Sequence, residues 1–311
     1  MNGAFRSKDF LDLADFSAEE ILYFLDTAVS LKRRYFLGET LDIHQGKTLA
    51  LLFEKPSLRT RVSFEMAMKQ LGGTCLYLGP QEVGLGKREA IKDVARVLSR
   101  MVDGIMVRTF AHQNVLEMAE YSDVPVFNGL SDLHHPCQIL GDLLTVLEKK
   151  GKLLDLPICF IGDGNNVCNS WIIVAAVCGL QLTVCTPDGY LPNQKIRQQA
   201  EESIRKSGGM LRYEHDPREA IRGAQVVYTD VWASMGREEE LARRLEIFPP
   251  YQVNEALVDL AAPDAIVMHC MPAHRGQEIT DPVIDGSQSV CIDQAENRLH
   301  AQKALLNLFI P

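Results

Sequence analysis

The chain is short of several things, and each shortage narrows its chemistry. Its eight cysteines, at 75, 137, 159, 168, 178, 185, 270 and 291, include no C-x-x-C pair, and no Cys/His group has the spacing of a zinc site. No metal centre is therefore expected, and most of these thiols read as small core residues of a reduced protein. The longest apolar run, Trp171 to Leu180, is far too short to span a bilayer. The stretch Met1 to Asp9 has no apolar signal-peptide core, so a cytoplasmic compartment is expected and a membrane is not. Positive charge is scarce as well: 32 Lys and Arg against 41 Asp and Glu give a formal net charge of −9. Such a surface repels a nucleic-acid backbone, so an anionic small substrate has to be drawn in by local arginines. Internal repeats and low-complexity tracts are missing too, and 46% apolar residues mark an ordinary globular chain.

What is present is alternation. At 311 residues the chain exceeds one typical core, so two domains are expected. Ser17-Ala18-Glu19-Glu20 is a capping box opening a helix with Ile21, Phe24, Leu25 and Val29 on its apolar face. Strands are expected at 48–53, 74–78, 104–108 and 124–127, with helices at 58–71, 89–101, 112–121 and 136–149. The polar run Glu148 to Lys152 suits a domain junction. A second series follows, with strands at 157–161, 181–185, 225–229 and 265–269 and helices at 166–179, 192–207, 217–222 and 238–246. A last helix runs from about Ala295 to Phe309. This pattern is that of an α/β protein with two doubly wound domains, each a parallel sheet flanked by helices. Sites in such sheets lie at the carboxyl ends of strands.

The chemical residues fall at those ends. Thr48 to Phe53 is a continuous apolar run, and Phe64, Ala67, Met68 and Leu71 mark one face of the following helix. Between them, Ser57 is a good N-cap, which puts Leu58, Arg59 and Thr60 in the first turn. Free N–H groups, the helix dipole, two hydroxyls and a guanidinium then converge as an oxyanion site, most plausibly for phosphate. His135 precedes Pro136, so its backbone is held extended, and Gln138 lies on the first turn of the next helix. That pair could serve a carbonyl and an adjoining amine, or be a cap beside a solvent-facing glutamine. Gly162-Asp163-Gly164-Asn165-Asn166 invites a dinucleotide reading, but Val167 stands where a third glycine belongs. The two asparagines look more like contacts to a small zwitterion. Asp230 ends a strand and could pair with a substrate ammonium, while Ser234 could bond a carboxylate or amine. Cys270 closes another strand and could be nucleophile, proton acceptor or structural thiol.

Together these segments resemble the aspartate/ornithine carbamoyltransferase family over nearly the whole chain. Ser57-Leu58-Arg59-Thr60-Arg61 is similar to its carbamoyl-phosphate motif, and His135-Pro136-Cys137-Gln138 to its H-P-x-Q. Asp230 to Gly236, His269-Cys270-Met271-Pro272 and Asp293 to Arg298 are similar to motifs of the ornithine branch. The resemblance implies a carbamoyl-phosphate-binding domain over 1–148, with the helix at about 295–311 packed back on it, and an ornithine-binding domain over 149–294. It also implies carbamoyl transfer to L-ornithine without a cofactor. Ser57, Leu58, Arg59, Thr60, Arg108, His135, Gln138 and Arg298 would bind carbamoyl phosphate. Asn166, Asp230, Ser234, Met235, Cys270 and Met271 would bind ornithine. Cys270, Arg108, His135 and Asp230 would be catalytic, the cysteine as proton acceptor. Family precedent further implies a homotrimer or multiple of trimers, with sites near subunit boundaries, acting in arginine biosynthesis.

Three positions depart from the family pattern. Leu58 replaces a frequent threonine and can offer only its backbone N–H. Met271 replaces a leucine, a volume-conserving change. Gly84-Leu85-Gly86-Lys87-Arg88-Glu89 stands where many ornithine enzymes read Q-x-G-R-G-E, so Lys87 or Arg88 would have to supply the contact of that glutamine, unless the loop is simply solvated. Runner-up readings are a carbamoyltransferase for putrescine, N-acylated ornithine or aspartate, a nicotinamide-dependent oxidoreductase, and a noncatalytic binding subunit.

Overall fold

The computed structural model describes residues 4–86, 88–233 and 238–311. The chain divides into two compact units, Met1–Leu144 together with Glu296–Pro311, and Thr145–Ala295. Both are parallel sheets covered by helices, as the alternation predicts.

In the first unit, strands β1 (Thr48–Phe53), β2 (Thr74–Leu78), β3 (Gly104–Arg108) and β4 (Val126–Leu130) run parallel in the order β2-β1-β3-β4. Leu49 to Phe53 are fully buried, as a strand covered on both faces requires. Phe64, Ala67, Met68 and Leu71 are buried along one face of helix Leu58–Gln70 and its C-cap. The capping box at Ser17 forms, with Glu20 N–H donating to Ser17 Oγ and Ser17 N–H to Glu20 Oε2. Val29, expected inside, is 40% exposed, and Ala28 takes the buried place. Seven residues make almost two full turns from Ile21, whereas the eighth has rotated about 80° off the face.

Strand β4 begins two residues later than expected and runs on through Asn128 and Gly129. The amino-terminal segment explains the shift. Phe10 N–H donates to Val126 O and Asn128 N–H to Phe10 O, while Asn128 Nδ2 donates to Leu11 O. Polar residues become strand because a neighbour far away in sequence satisfies their backbone. Asp9 Oδ1 accepts the Val126 N–H there, and burial pushes its carboxyl up to about 6. With the folded pKa above the unfolded one, the native state binds more protons, so stability falls as pH rises from about 4 to about 6. Asp9→Asn keeps an acceptor oxygen and is expected to stabilise the protein by about 1–2 kcal/mol above pH 6 and by nothing near pH 4. Urea titrations at the two pH values check this, and a pH-independent effect would exclude the burial explanation.

In the second unit, β5 (Pro157–Ile161), β6 (Gln181–Cys185), β7 (Met210–Glu214), β8 (Val226–Thr229) and β9 (Ile266–His269) are parallel in the order β7-β6-β5-β8-β9. Strand β7 was not legible in sequence. It is a half-exposed edge strand of mixed polarity, held by pairing with β6 rather than by an apolar run. The helix expected at 238–246 is a 3₁₀ turn, Glu238–Glu240, followed by helix Leu241–Ile247. The last helix starts earlier than expected, at Cys291, and ends at Phe309. Phe309 lies among Phe5, Phe10, Phe16 and Phe24 at ring separations of 5.5 to 5.9 Å. This aromatic cluster fixes the carboxyl-terminal helix in the first unit, and Arg298 with it.

Candidate active site

Each sheet has one point where its strand order reverses, and each reversal carries chemistry at the strands' carboxyl ends. In the first unit this lies between β1 and β3. Ser57 caps helix Leu58–Gln70 by accepting from Thr60 N–H at 3.3 Å. Its hydroxyl thereby closes the helix start, with Leu58 and Arg59 in the first turn. Leu58 turns its side chain outward at 73% exposure. Thr60 is buried, and its Oγ1 accepts from Arg298 Nη2 at 2.9 Å and Arg108 Nη1 at 3.4 Å. Arg108 is the last residue of β3 and Arg298 comes from the final helix, so three distant segments meet at one hydroxyl. Helix Pro136–Lys150 can approach because residue 141 is glycine: a Cβ there would lie 3.2 Å from the Arg298 backbone.

His135 is buried beside these cations. Burial first, then the charges of Arg298, Arg108 and Lys55, hold its imidazole well below the usual histidine range. It is therefore a neutral group at pH 7, able to donate one hydrogen bond without adding charge. Lys55, buried with its ammonium 4.6 Å from the Phe110 ring, was not singled out in sequence. A lone lysine before a proline gives no signal there; only the fold shows that its charge acts on His135. Gln138 is buried, and its Nε2 donates to Asp142 Oδ1 at 2.8 Å. Its Oε1 has no hydrogen-bond partner among the described residues. Arg61 lies apart from this group, paired with Glu65 at 2.9 Å and stacked on Tyr77 at 3.9 Å.

In the second unit the reversal lies between β5 and β8. Asn165 caps helix Asn166–Cys178, its Oδ1 accepting from Val167 and Cys168 N–H at 3.0 Å each. Its Nδ2 donates to Asp230 Oδ2 at 2.6 Å. The side chain that reaches Asp230 here is thus Asn165, next to the Asn166 chosen from sequence. Gly164 is required by packing, since a Cβ would fall 2.3 Å from Pro192 N, and Val167 is buried. Gly164, one of the two glycines that invited a dinucleotide reading, therefore has a local structural reason.

Asp230 is buried at the end of β8, and its Oδ1 accepts from the Cys270 thiol at 2.8 Å and from Val231 N–H at 2.8 Å. Cys270 follows β9, so carboxylate and thiol come from adjacent strand ends. Met271 has φ +58°, a conformation uncommon for a side-chain-bearing residue, and its N–H donates to His269 Nδ1 at 2.9 Å. With Nδ1 accepting, the His269 proton sits on Nε2, which donates to the buried Glu278 Oε1 at 3.0 Å. Gln294 Oε1 accepts from His269 N–H at 2.9 Å. Asp230, His269 and Cys270 offer metal-ligand atoms within 4.8 Å of one another. Both imidazole nitrogens are already engaged, so ligation would break one of those bonds. Ser234 and Met235 lie outside the described residues, as does Lys87 of the atypical loop. Arg88 is exposed, with Nη1 donating to Glu82 O at 3.2 Å.

Comparison with known proteins bears on both units. Residues 8–148 match the model for the aspartate/ornithine carbamoyltransferase carbamoyl-P binding domain, and residues 154–309 match that for the Asp/Orn binding domain. The chain is 53% identical over 310 residues to an ornithine carbamoyltransferase of Carboxydothermus hydrogenoformans, covering 100% of each. It is 52% identical to an anabolic ornithine carbamoyltransferase of Pyrococcus furiosus, over 97% of this chain and 96% of that one. Among solved structures, ornithine carbamoyltransferase from Pyrococcus furiosus superposes with a TM-score of 0.96 at 51% identity, covering 98% of both chains. The enzyme from Thermus thermophilus gives 0.88 at 43% identity, over 97% of this chain and 99% of that one.

Proposed function

The chain belongs to the aspartate/ornithine carbamoyltransferase family, and we infer that it transfers the carbamoyl group of carbamoyl phosphate to the side-chain amine of L-ornithine, giving L-citrulline and phosphate. The observation that carries the chemistry is the opposite character of the two switch points. One gathers Arg108, Arg298 and a neutral His135, with Thr60 bonded to both guanidiniums; the other presents the buried Asp230 carboxylate with the Cys270 thiol. The first suits an acyl phosphate with a carbonyl to polarise, the second an ammonium to deprotonate.

The residue roles follow from that contrast. Ser57, the N–H groups of Leu58 and Arg59, and the Arg59, Thr60, Arg108 and Arg298 side chains hold the phosphate at a helix start. Arg108, His135 and Thr60 donate to the carbamoyl oxygen as it becomes an oxyanion. Neutral His135 donates there through its one N–H and, lacking the second proton of an imidazolium, adds no charge. Gln138 accepts from the carbamoyl amine. The ornithine ammonium passes its proton to Cys270 as the thiol gives its own to the Asp230 carboxylate it already donates to, and the freed amine attacks, with Asn166, Ser234, Met235 and Met271 orienting the amino acid. Attack forms the new C–N bond as the carbonyl pair moves onto oxygen. The oxyanion then collapses, the C–O bond to phosphate breaks with its electron pair leaving on the phosphate, and the phosphate takes the surplus proton of the attacking nitrogen. No metal or organic cofactor is needed for this exchange. An aspartate side chain in the amine's place would meet Asp230 with like charge.

A homotrimer or multiple of trimers, with sites near subunit boundaries, belongs to the same reading. Leu58 and Val62, one turn apart and 73% and 47% exposed, form an apolar strip that a second copy could cover. We place the enzyme in the cytoplasm and in arginine biosynthesis, in keeping with the anabolic relative and with described helices too short or too polar to cross a membrane. Lys87 and Arg88 remain the candidates for the loop contact to carbamoyl phosphate.

Incubation with carbamoyl phosphate and a panel of ornithine, putrescine, N-acetylornithine and aspartate tests the reading. Citrulline from ornithine is expected to exceed every other ureido product. Preference for another amine would reassign the substrate, and no ureido product at all would reject the activity.

A further inference from the structure

We propose that Asp142 is a positioning residue that fixes the direction of the Gln138 amide, and that it thereby selects a carbamoyl over an acyl group; the inference rests on the carbamoyl-phosphate reading above. Gln138 and Asp142 lie four residues apart on one face of helix Pro136–Lys150, and both are buried. The two ends of a glutamine amide have nearly the same shape and differ only in donating or accepting. A glutamine that must accept from a substrate amine therefore needs something to stop it turning round. Asp142 Oδ1 faces the amide nitrogen at 2.8 Å and, as a carboxyl oxygen aligned on that N–H, accepts from it.

The consequence appears at the other end of the amide. Gln138 Oε1 is buried and accepts no hydrogen bond among the described residues. A buried carbonyl without a donor is costly, and such an atom on the first turn after His135 marks a place where a donor arrives. The carbamoyl –NH2 is that donor. Turned the other way, Gln138 would set its own –NH2 against the substrate's, and Asp142 would face a carbonyl oxygen. An acyl phosphate such as acetyl phosphate carries a methyl where the carbamoyl group has its amine, so it gains nothing from the fixed carbonyl. Asp142 thus contributes to selectivity without touching substrate.

The test is selectivity rather than rate. Acetyl phosphate, measured as a competitive inhibitor against carbamoyl phosphate, reports the phosphate site without the amine. In Asp142→Ala, the ratio of acetyl-phosphate Ki to carbamoyl-phosphate KM is expected to fall about tenfold, the loss typical of one directed hydrogen bond. The acetyl-phosphate Ki and the ornithine KM should each stay within about twofold. Asp142→Asn, whose amide can either donate or accept, should show a smaller fall. Gln138→Ala should show the same fall as Asp142→Ala, and adding Asp142→Ala to it should change the ratio no further. Should Asp142→Ala not fold, Asp142→Ser answers the same question, because a hydroxyl also donates and releases the direction. Equal weakening of both phosphates, which a merely structural Asp142 would cause, overturns the proposal, as does an unchanged ratio. A failure of the underlying reading looks different, for the unsubstituted protein would then form no citrulline.

Discussion

Arg108→Met is expected to lower the turnover of carbamoyl phosphate and ornithine by roughly 10²- to 10³-fold, the usual cost of removing a preorganised oxyanion donor. Arg108 ends β3, is 4% exposed and reaches Thr60 Oγ1, the hydroxyl that also binds Arg298. Methionine fills much of the volume, so the fold should survive while a fixed positive charge is lost where the proposed reaction develops the oxyanion. A second readout separates electrostatics from packing. His135 is kept neutral by burial and by the charges of Arg298, Arg108 and Lys55, so deleting one of these charges should shift its titration upward. Ring resonances followed by NMR across pH would show it. Arg61→Met is the control, because that guanidinium is half exposed and paired with Glu65. It should change turnover by less than about twofold. Comparable losses in the two variants would remove Arg108 from the assigned role.

The other large effect is on stability. Arg244→Leu is expected to destabilise the second unit by about 3–5 kcal/mol, the cost of leaving a buried partner charge uncompensated. Arg244 is 1% exposed, and its Nη1 lies 3.0 Å from the buried Asp163. Glu240 accepts from it at 2.8 Å, Trp232 O accepts from Nη1, and the rings of Tyr190 and Phe248 lie 4.8 and 5.6 Å away. One guanidinium therefore joins residues 232 and 240, which bracket the segment bearing Ser234 and Met235, to the turn that bears Asn165. Arg244→Lys should recover little, since an ammonium cannot present a planar fork to several acceptors. Adding Asp163→Asn to Arg244→Leu should restore part of the loss by removing the stranded charge. Urea unfolding measures each step, and a loss below about 1 kcal/mol would mean that water already screens the pair.

The contrast between these arginines shows what could be read in advance. Arg108 closes an apolar strand run, and the family resemblance marked it as a site residue before its contacts were known. Arg244 sits in Leu241-Ala242-Arg243-Arg244-Leu245 and looks like one of two solvated helix charges. Nothing local distinguishes the buried one. Asn165 and Asn166 present the same problem: adjacent residues of one type, of which the helix start turns Asn165 toward Asp230. Strand β7 and the late start of β4 are not visible in the sequence, because pairing across the sheet, rather than an apolar run, makes them strands.

By itself the sequence determined the two parallel-sheet units, the capped helix start at Ser57, and the family, because these rest on short-range patterns of polarity, capping and proline. Tertiary structure alone decided which groups meet. It brought Arg298 from the far end of the chain onto Thr60, laid the Cys270 thiol on Asp230, and buried Arg244 against Asp163. Each of these depends on the relative position of segments distant in sequence or on which face of a helix is buried. Only packing sets those, and packing also sets the burial that gives such contacts their strength.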